Sequence, residues 1–144
     1  MTETKTATNA PKDQVSGGCL CGEVSFSIVG EAVAQLLCFC PDCRKISGAD
    51  AYAAYVVPRA ALTLEAGTPT SYTVTAASGR LNKRNFCGTC GSRLWADLEM
   101  DLASVSGTSL NDPELFQPTM VHCESDAPTW ARIPKHMESL PPSS

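Results

Sequence analysis

The chain has 144 residues, 43% hydrophobic and 18% charged, enough for one domain with its own core. Its net charge of -4 provides no basic face, which argues against a general nucleic-acid binder. No apolar run approaches the roughly eighteen residues of a membrane span. The start, MTETKTATNAPKDQVSGG, holds no apolar signal-peptide core, so a cytoplasmic location is expected.

In chain order, residues 1–16 are polar and read as a disordered N-terminal tail. A single domain is expected over 17–140, followed by a short tail over 141–144. Val24, Phe26 and Ile28 alternate with Ser25 and Ser27, a strand pattern of period two. Pro41 suits a first helical position, which predicts a short helix over 42–46. Tyr52 to Val57 is an apolar strand stopped by Pro58. Leu62 to Leu64 and Tyr72 to Thr75 are strand-like, separated by Gly67 and Pro69. Further strands are expected over 92–96, 102–106 and 119–123, with a second helical turn near Asp112 to Glu114. The class is therefore mainly β, with one or two short helical turns.

Eight cysteines stand out. In a reducing compartment their close spacing favours metal ligation over disulfides. Cys19 and Cys21 form C-x-C, Cys38, Cys40 and Cys43 form C-x-C-x-x-C, and Cys87 and Cys90 form C-x-x-C. The run FCGTCG reads as a zinc knuckle, whose glycines allow the tight turn that aims two sulfurs at one metal. Its rival, a redox dithiol, lacks the βαβ pattern such a motif calls for. Two adjacent cysteines supply one edge of a tetrahedron, so Cys87 and Cys90 with Cys19 and Cys21 make a closed four-sulfur site. Cys38, Cys40 and Cys43 remain. Three ligands leave a position for water or a thiolate, unless Cys123 completes a second inert site. Cys123 otherwise reads as a buried thiol.

These clusters, in this order, resemble the glutathione-dependent formaldehyde-activating enzyme family, also called the CENP-V/GFA domain family. The resemblance runs through GGCLCGEVSFSI from Gly17, CFCPDCRKISGA from Cys38 to Ala49, and RNFCGTCGSRLW from Arg84 to Trp95. A looser block includes His122, Pro128, Trp130 and Leu140-Pro141. The resemblance implies an Mss4-like β fold with two zinc ions. One is structural, held by Cys19, Cys21, Cys87 and Cys90; the second, held by Cys38, Cys40 and Cys43, is the expected catalytic site. It also implies a carbon–sulfur lyase that joins formaldehyde, or a related aldehyde or imine, to glutathione or another small thiol. Phe39 stands where many members have histidine, so a proton-transfer role there is lost. The alternative is a non-catalytic zinc-stabilised scaffold of the Mss4-like type.

Arg44 and Lys45, just after Cys43, are candidates for binding substrate carboxylates, and Ser47 for offering a hydroxyl. Their bland reading is a solvated surface pair. Trp95 and Trp130 read as core rather than pocket wall. His122 reads as an acid/base group or a structural hydrogen-bonding residue.

Overall fold

The computed structural model describes residues 14–135 and 137–140. Its strands are β1 (Val15–Gly18), β2 (Ser25–Ile28), β3 (Ala34–Cys38), β4 (Tyr52–Pro58), β5 (Leu62–Ala66) and β6 (Thr70–Thr75). They continue with β7 (Leu81–Phe86), β8 (Arg93–Leu98), β9 (Leu102–Ser106), β10 (Met120–His122) and β11 (Glu138–Leu140). One α-helix, α1 (Pro41–Ser47), occurs among the described residues. β1, β2 and β5 form a small antiparallel sheet. The other eight strands form one sheet in the order β11-β10-β3-β4-β9-β8-β7-β6. The architecture is mainly β, of the Mss4-like class expected.

The two faces of the large sheet have different fates. Tyr55 and Val57 of β4, Trp95 of β8, and Ala103 and Val105 of β9 lie in register on one face. They pack against Phe26, Ile28 and Leu62 of the small sheet in the main core. Phe26 meets Trp95 edge-on, with ring centroids 6.1 Å apart, a favoured aromatic geometry. Gly17 is required where β1 crosses this core, because a Cβ there would lie 2.5 Å from the Phe26 ring. The opposite face carries Leu36, Ala54, Val56 and a second cluster containing Cys38, Cys43 and Cys123. That face is the floor of the site described below.

The helix is one residue longer at each end than predicted. Pro41 opens it, Cys40 caps it by accepting the Cys43 N–H at 3.3 Å, and Gly48 ends it at φ 71. The turn near Asp112 is a 3₁₀ segment, Pro113–Leu115, capped by Asp112. Val15 and Ser16, assigned above to the polar tail, belong to β1, because Val15 pairs with Ile28 and is buried. Residues 1–13 and 141–144 lie outside the described residues. Trp95 is core as expected, whereas Trp130 is 67% exposed.

Candidate metal centres and the cavity beside them

Two tight turns bring the first four sulfurs together. In the first, Gly22 donates its N–H to the Cys19 carbonyl at 3.2 Å, and the Val24 N–H points at Cys19 Sγ at 3.2 Å. In the second, Gly91, at φ 81, donates to the Cys87 carbonyl at 2.8 Å. The Leu20 N–H then bonds Ser92 Oγ at 2.9 Å, tying one turn to the other. The sulfurs of Cys19, Cys21, Cys87 and Cys90 all lie within 4.8 Å of one another. Cys19 to Cys21 is 3.6 Å and Cys21 to Cys87 is 3.7 Å. A tetrahedral ion with bonds of about 2.3 Å spaces its sulfurs about 3.8 Å apart, so the donor set fits a zinc-sized ion. Cys90 is held down to about 5, chiefly by the Ser92 hydroxyl and then by the Ser92 backbone N–H. Such a thiol gives up its proton to a metal readily.

The second cluster is built on the junction of β3 and α1. Cys38 ends the strand, Cys40 caps the helix and Cys43 lies in its first turn; their sulfurs are also within 4.8 Å of one another. The Cys38 thiol, and after it that of Cys43, holds Cys40 down to about 2. Cys38 is correspondingly pushed far up by Cys40 and Cys43. Three crowded sulfurs thus share charge, one as thiolate and its neighbours as donors. A dication relieves that repulsion and lets all three ionise, so this cluster also fits a metal.

β10 runs parallel to β3 with His122 opposite Cys38. His122 Nδ1 is 3.5 Å from Cys38 Sγ, and Cys38, His122 and Cys123 form another group of potential ligands within 4.8 Å. Cys123 adopts φ 58, uncommon for a residue with a side chain. Its sulfur, although near Cys38, does not form a mutual set of four with Cys40 and Cys43 at that distance.

The triad opens on a cavity of about 760 Å³. Leu36, Ala54, Val56, Ala96 and Leu98 give it apolar walls. Its polar lining includes Arg84, Asn82, Ser104 and His122. Arg84 is only 8% exposed. Asn82 Oδ1 and His122 Nε2 are buried with no hydrogen-bond partner among the described residues.

The substrate residues expected from sequence lie elsewhere. Arg44 Nη1 donates to the carbonyls of Phe39 and Asp126, each at 3.1 Å, fastening the helix to the loop after β10. Lys45 and Ser47 line a separate cavity of about 700 Å³, beside Cys19, Ser92 and Arg93. Two cations, Arg80 and Arg84, line the triad's cavity; Arg80 is exposed and Arg84 is buried. The sequence signal of Arg84 was a charged residue three positions before Cys87, in a strand too polar to show alternation.

The sequence matches the family described as glutathione-dependent formaldehyde-activating enzyme over residues 14–125. A crystal structure of a Rhodobacter sphaeroides protein superimposes with a TM-score of 0.56 at 22% identity, covering 72% of this chain and 96% of that one. At that identity the likeness concerns the fold. A search of curated proteins found no match.

Proposed function

Because the chain belongs to the glutathione-dependent formaldehyde-activating enzyme family, we propose that it is a zinc-dependent carbon–sulfur lyase. Its substrate would be the adduct of glutathione, or another small thiol, with formaldehyde or a related carbonyl or imine. The observation that carries this reading is the cluster of Cys38, Cys40 and Cys43, three mutually close sulfurs on the wall of a substrate-sized cavity. Cys19, Cys21, Cys87 and Cys90 would hold a structural zinc, and Cys38, Cys40 and Cys43 a second. With zinc bound, three thiolates and a dication leave one negative charge and a free position that keeps an incoming thiol ionised near neutral pH.

The chain's own residues would do the rest. The apolar walls exclude water, so an aldehyde is not lost to its hydrate while it waits. In the synthetic direction the thiolate attacks the carbonyl carbon, the carbon–sulfur bond forms, and the oxygen takes up a proton. His122 lines the cavity with its Nδ1 against Cys38, and its buried Nε2 has no partner among the described residues. In the Nε2–H tautomer it would donate to the oxygen where negative charge develops. Arg84 opposes the negative charge of the cysteine cluster: the Cys43 thiol, drawn down by Cys38 but pushed up overall to about 12 by Cys40 and burial, feels its field as a small downward pull.

The test is exchange between free and thiol-bound formaldehyde, followed by NMR in glutathione. Zinc-loaded protein should accelerate it and Cys40→Ser should abolish the effect. No acceleration with glutathione or any small thiol, across several aldehydes, would sink the reading.

A second reading has one observation behind it. His122 and Cys123 sit beside Cys38, and donation from either would close the site and make the domain a zinc-stabilised scaffold. Cobalt in the second site separates the two. An open site strengthens its sulfur-to-cobalt absorption when thiol is added, in wild type and in Cys123→Ser alike. A closed site ignores thiol until the residue that closes it, His122 or Cys123, is replaced.

A further inference from the structure

Two buried or half-buried arginines of this fold meet opposite fates. Arg59 is partnered: its Nε bonds Asp97 Oδ1 at 2.7 Å, its Nη1 bonds the Leu62 carbonyl at 3.0 Å, and its guanidinium lies 5.8 Å from the centre of the Trp95 ring. Arg84 is more buried, yet among the described residues it has neither a hydrogen bond nor an ion pair. Asp42, Glu99 and Asp126 line the same cavity and none of them pairs with it. A guanidinium carries five N–H donors and stays charged at any pH the protein meets; those of Arg84 are not among the sealed, unsatisfied atoms, so they open on the cavity and are available to a ligand there. The cysteine cluster answers its charge at a distance but fills none of those donors.

The sheet register shows what Arg84 is aimed along. Val56, Ser104, Ala96 and Arg84 lie opposite one another across β4, β9, β8 and β7, on the cavity face. The triad stands at β3, four strand spacings from β7, or about 19 Å between backbones before the arginine's own reach is subtracted. Between them the floor carries Ala54, Val56 and Ala96, with Ser104 as a polar interruption. Asn82, two residues before Arg84 on the same face of β7, adds its unpartnered Oδ1.

We propose that Arg84 is the residue that binds a carboxylate of the substrate. The substrate is a carboxylate-bearing thiol, or its aldehyde adduct, whose sulfur sits at Cys38, Cys40 and Cys43 while its intervening chain packs on Leu36, Ala54, Val56, Ala96 and Leu98. Asn82 Oδ1 accepts a hydrogen bond from an N–H or O–H near that carboxylate. The sulfur end of this assignment rests on the thiol-adduct reading above; the carboxylate end does not.

The experiment uses zinc-loaded full-length protein and three probes, with binding followed by NMR titration. Hexanoate carries the carboxylate alone, 6-mercaptohexanol the thiol alone, and 6-mercaptohexanoate both. Hexanoate should bind wild type and lose about tenfold or more in affinity with Arg84→Gln, the scale of a charge-assisted contact. Wild type should prefer 6-mercaptohexanoate over 6-mercaptohexanol by a similar factor, and the variant should not. Arg84→Lys, which keeps the charge but not the planar fork, should fall between, and it decides the matter if Arg84→Gln does not fold. Hexanoate binding that is absent, or unchanged in either variant, overturns the assignment. Failure of 6-mercaptohexanol to bind at all would instead count against the thiol reading and leave the hexanoate result standing.

Discussion

Replacing Cys90 with serine tests whether the first cluster holds the fold together while the second serves chemistry. The Cys21 and Cys87 sulfurs, 3.7 Å apart, are separated by 66 residues. A metal bonded to both turns cross-links the chain much as a disulfide does, and a loop of that length removes about 4 kcal/mol of unfolded-state entropy. Cys38, Cys40 and Cys43 are bridged within six residues, and the same relation assigns that closure only about 2 kcal/mol. Serine at position 40 also preserves the helix cap, since its oxygen accepts the Cys43 N–H as the sulfur does. At about 3 °C per kcal/mol for a chain of this size, Cys90→Ser should melt about 12 °C below wild type, and Cys40→Ser about 6 °C below. Circular dichroism melts of the two zinc-loaded variants measure this directly. Both figures take the metal as lost with its ligand, and the ligand bonds lost add to each. A Cys40→Ser protein that melts as early as Cys90→Ser would show that the roles of the two clusters are reversed.

Purified protein should carry close to two zinc ions, with the one at Cys38, Cys40 and Cys43 leaving first on titration with chelator; simultaneous loss of both would contradict the difference between four donors and three. Arg44→Ala should lower stability by about 1–2 kcal/mol, because two carbonyls lose a charged donor, and should leave thiol affinity within about twofold. A large fall in affinity without a fall in melting temperature would restore Arg44 to the substrate site.

The two cysteine clusters that could hold metal were legible because their determinants are local. Each half of the first is a pair of cysteines separated by one or two residues around a turn, and the second occupies six consecutive positions. Glycine and proline punctuation likewise exposed β2, β4, β5, β6, β8, β9 and β10, where apolar side chains alternate or cluster. β1, β3, β7 and β11 escaped that reading. β3 is masked because its last residue belongs to the cysteine motif, and β7, with Asn82, Lys83, Arg84 and Asn85 in succession, has no apolar period at all. Only the sheet pairing explains why such a strand exists. Its neighbours β6 and β8 hold it by backbone hydrogen bonds, Asn85 is buried against the Trp95 carbonyl and Asp97, and Arg84 is turned to the cavity face. The candidate substrate residues were read from sequence adjacency for the same reason. Adjacency to Cys43 in sequence pointed to Arg44, Lys45 and Ser47; Arg44 instead fastens the helix to the loop after β10, and Lys45 and Ser47 line the other cavity. What lies opposite the Cys43 sulfur is set by strand order, and strand order places β7 across the cavity, 41 positions after Cys43 if counted to Arg84.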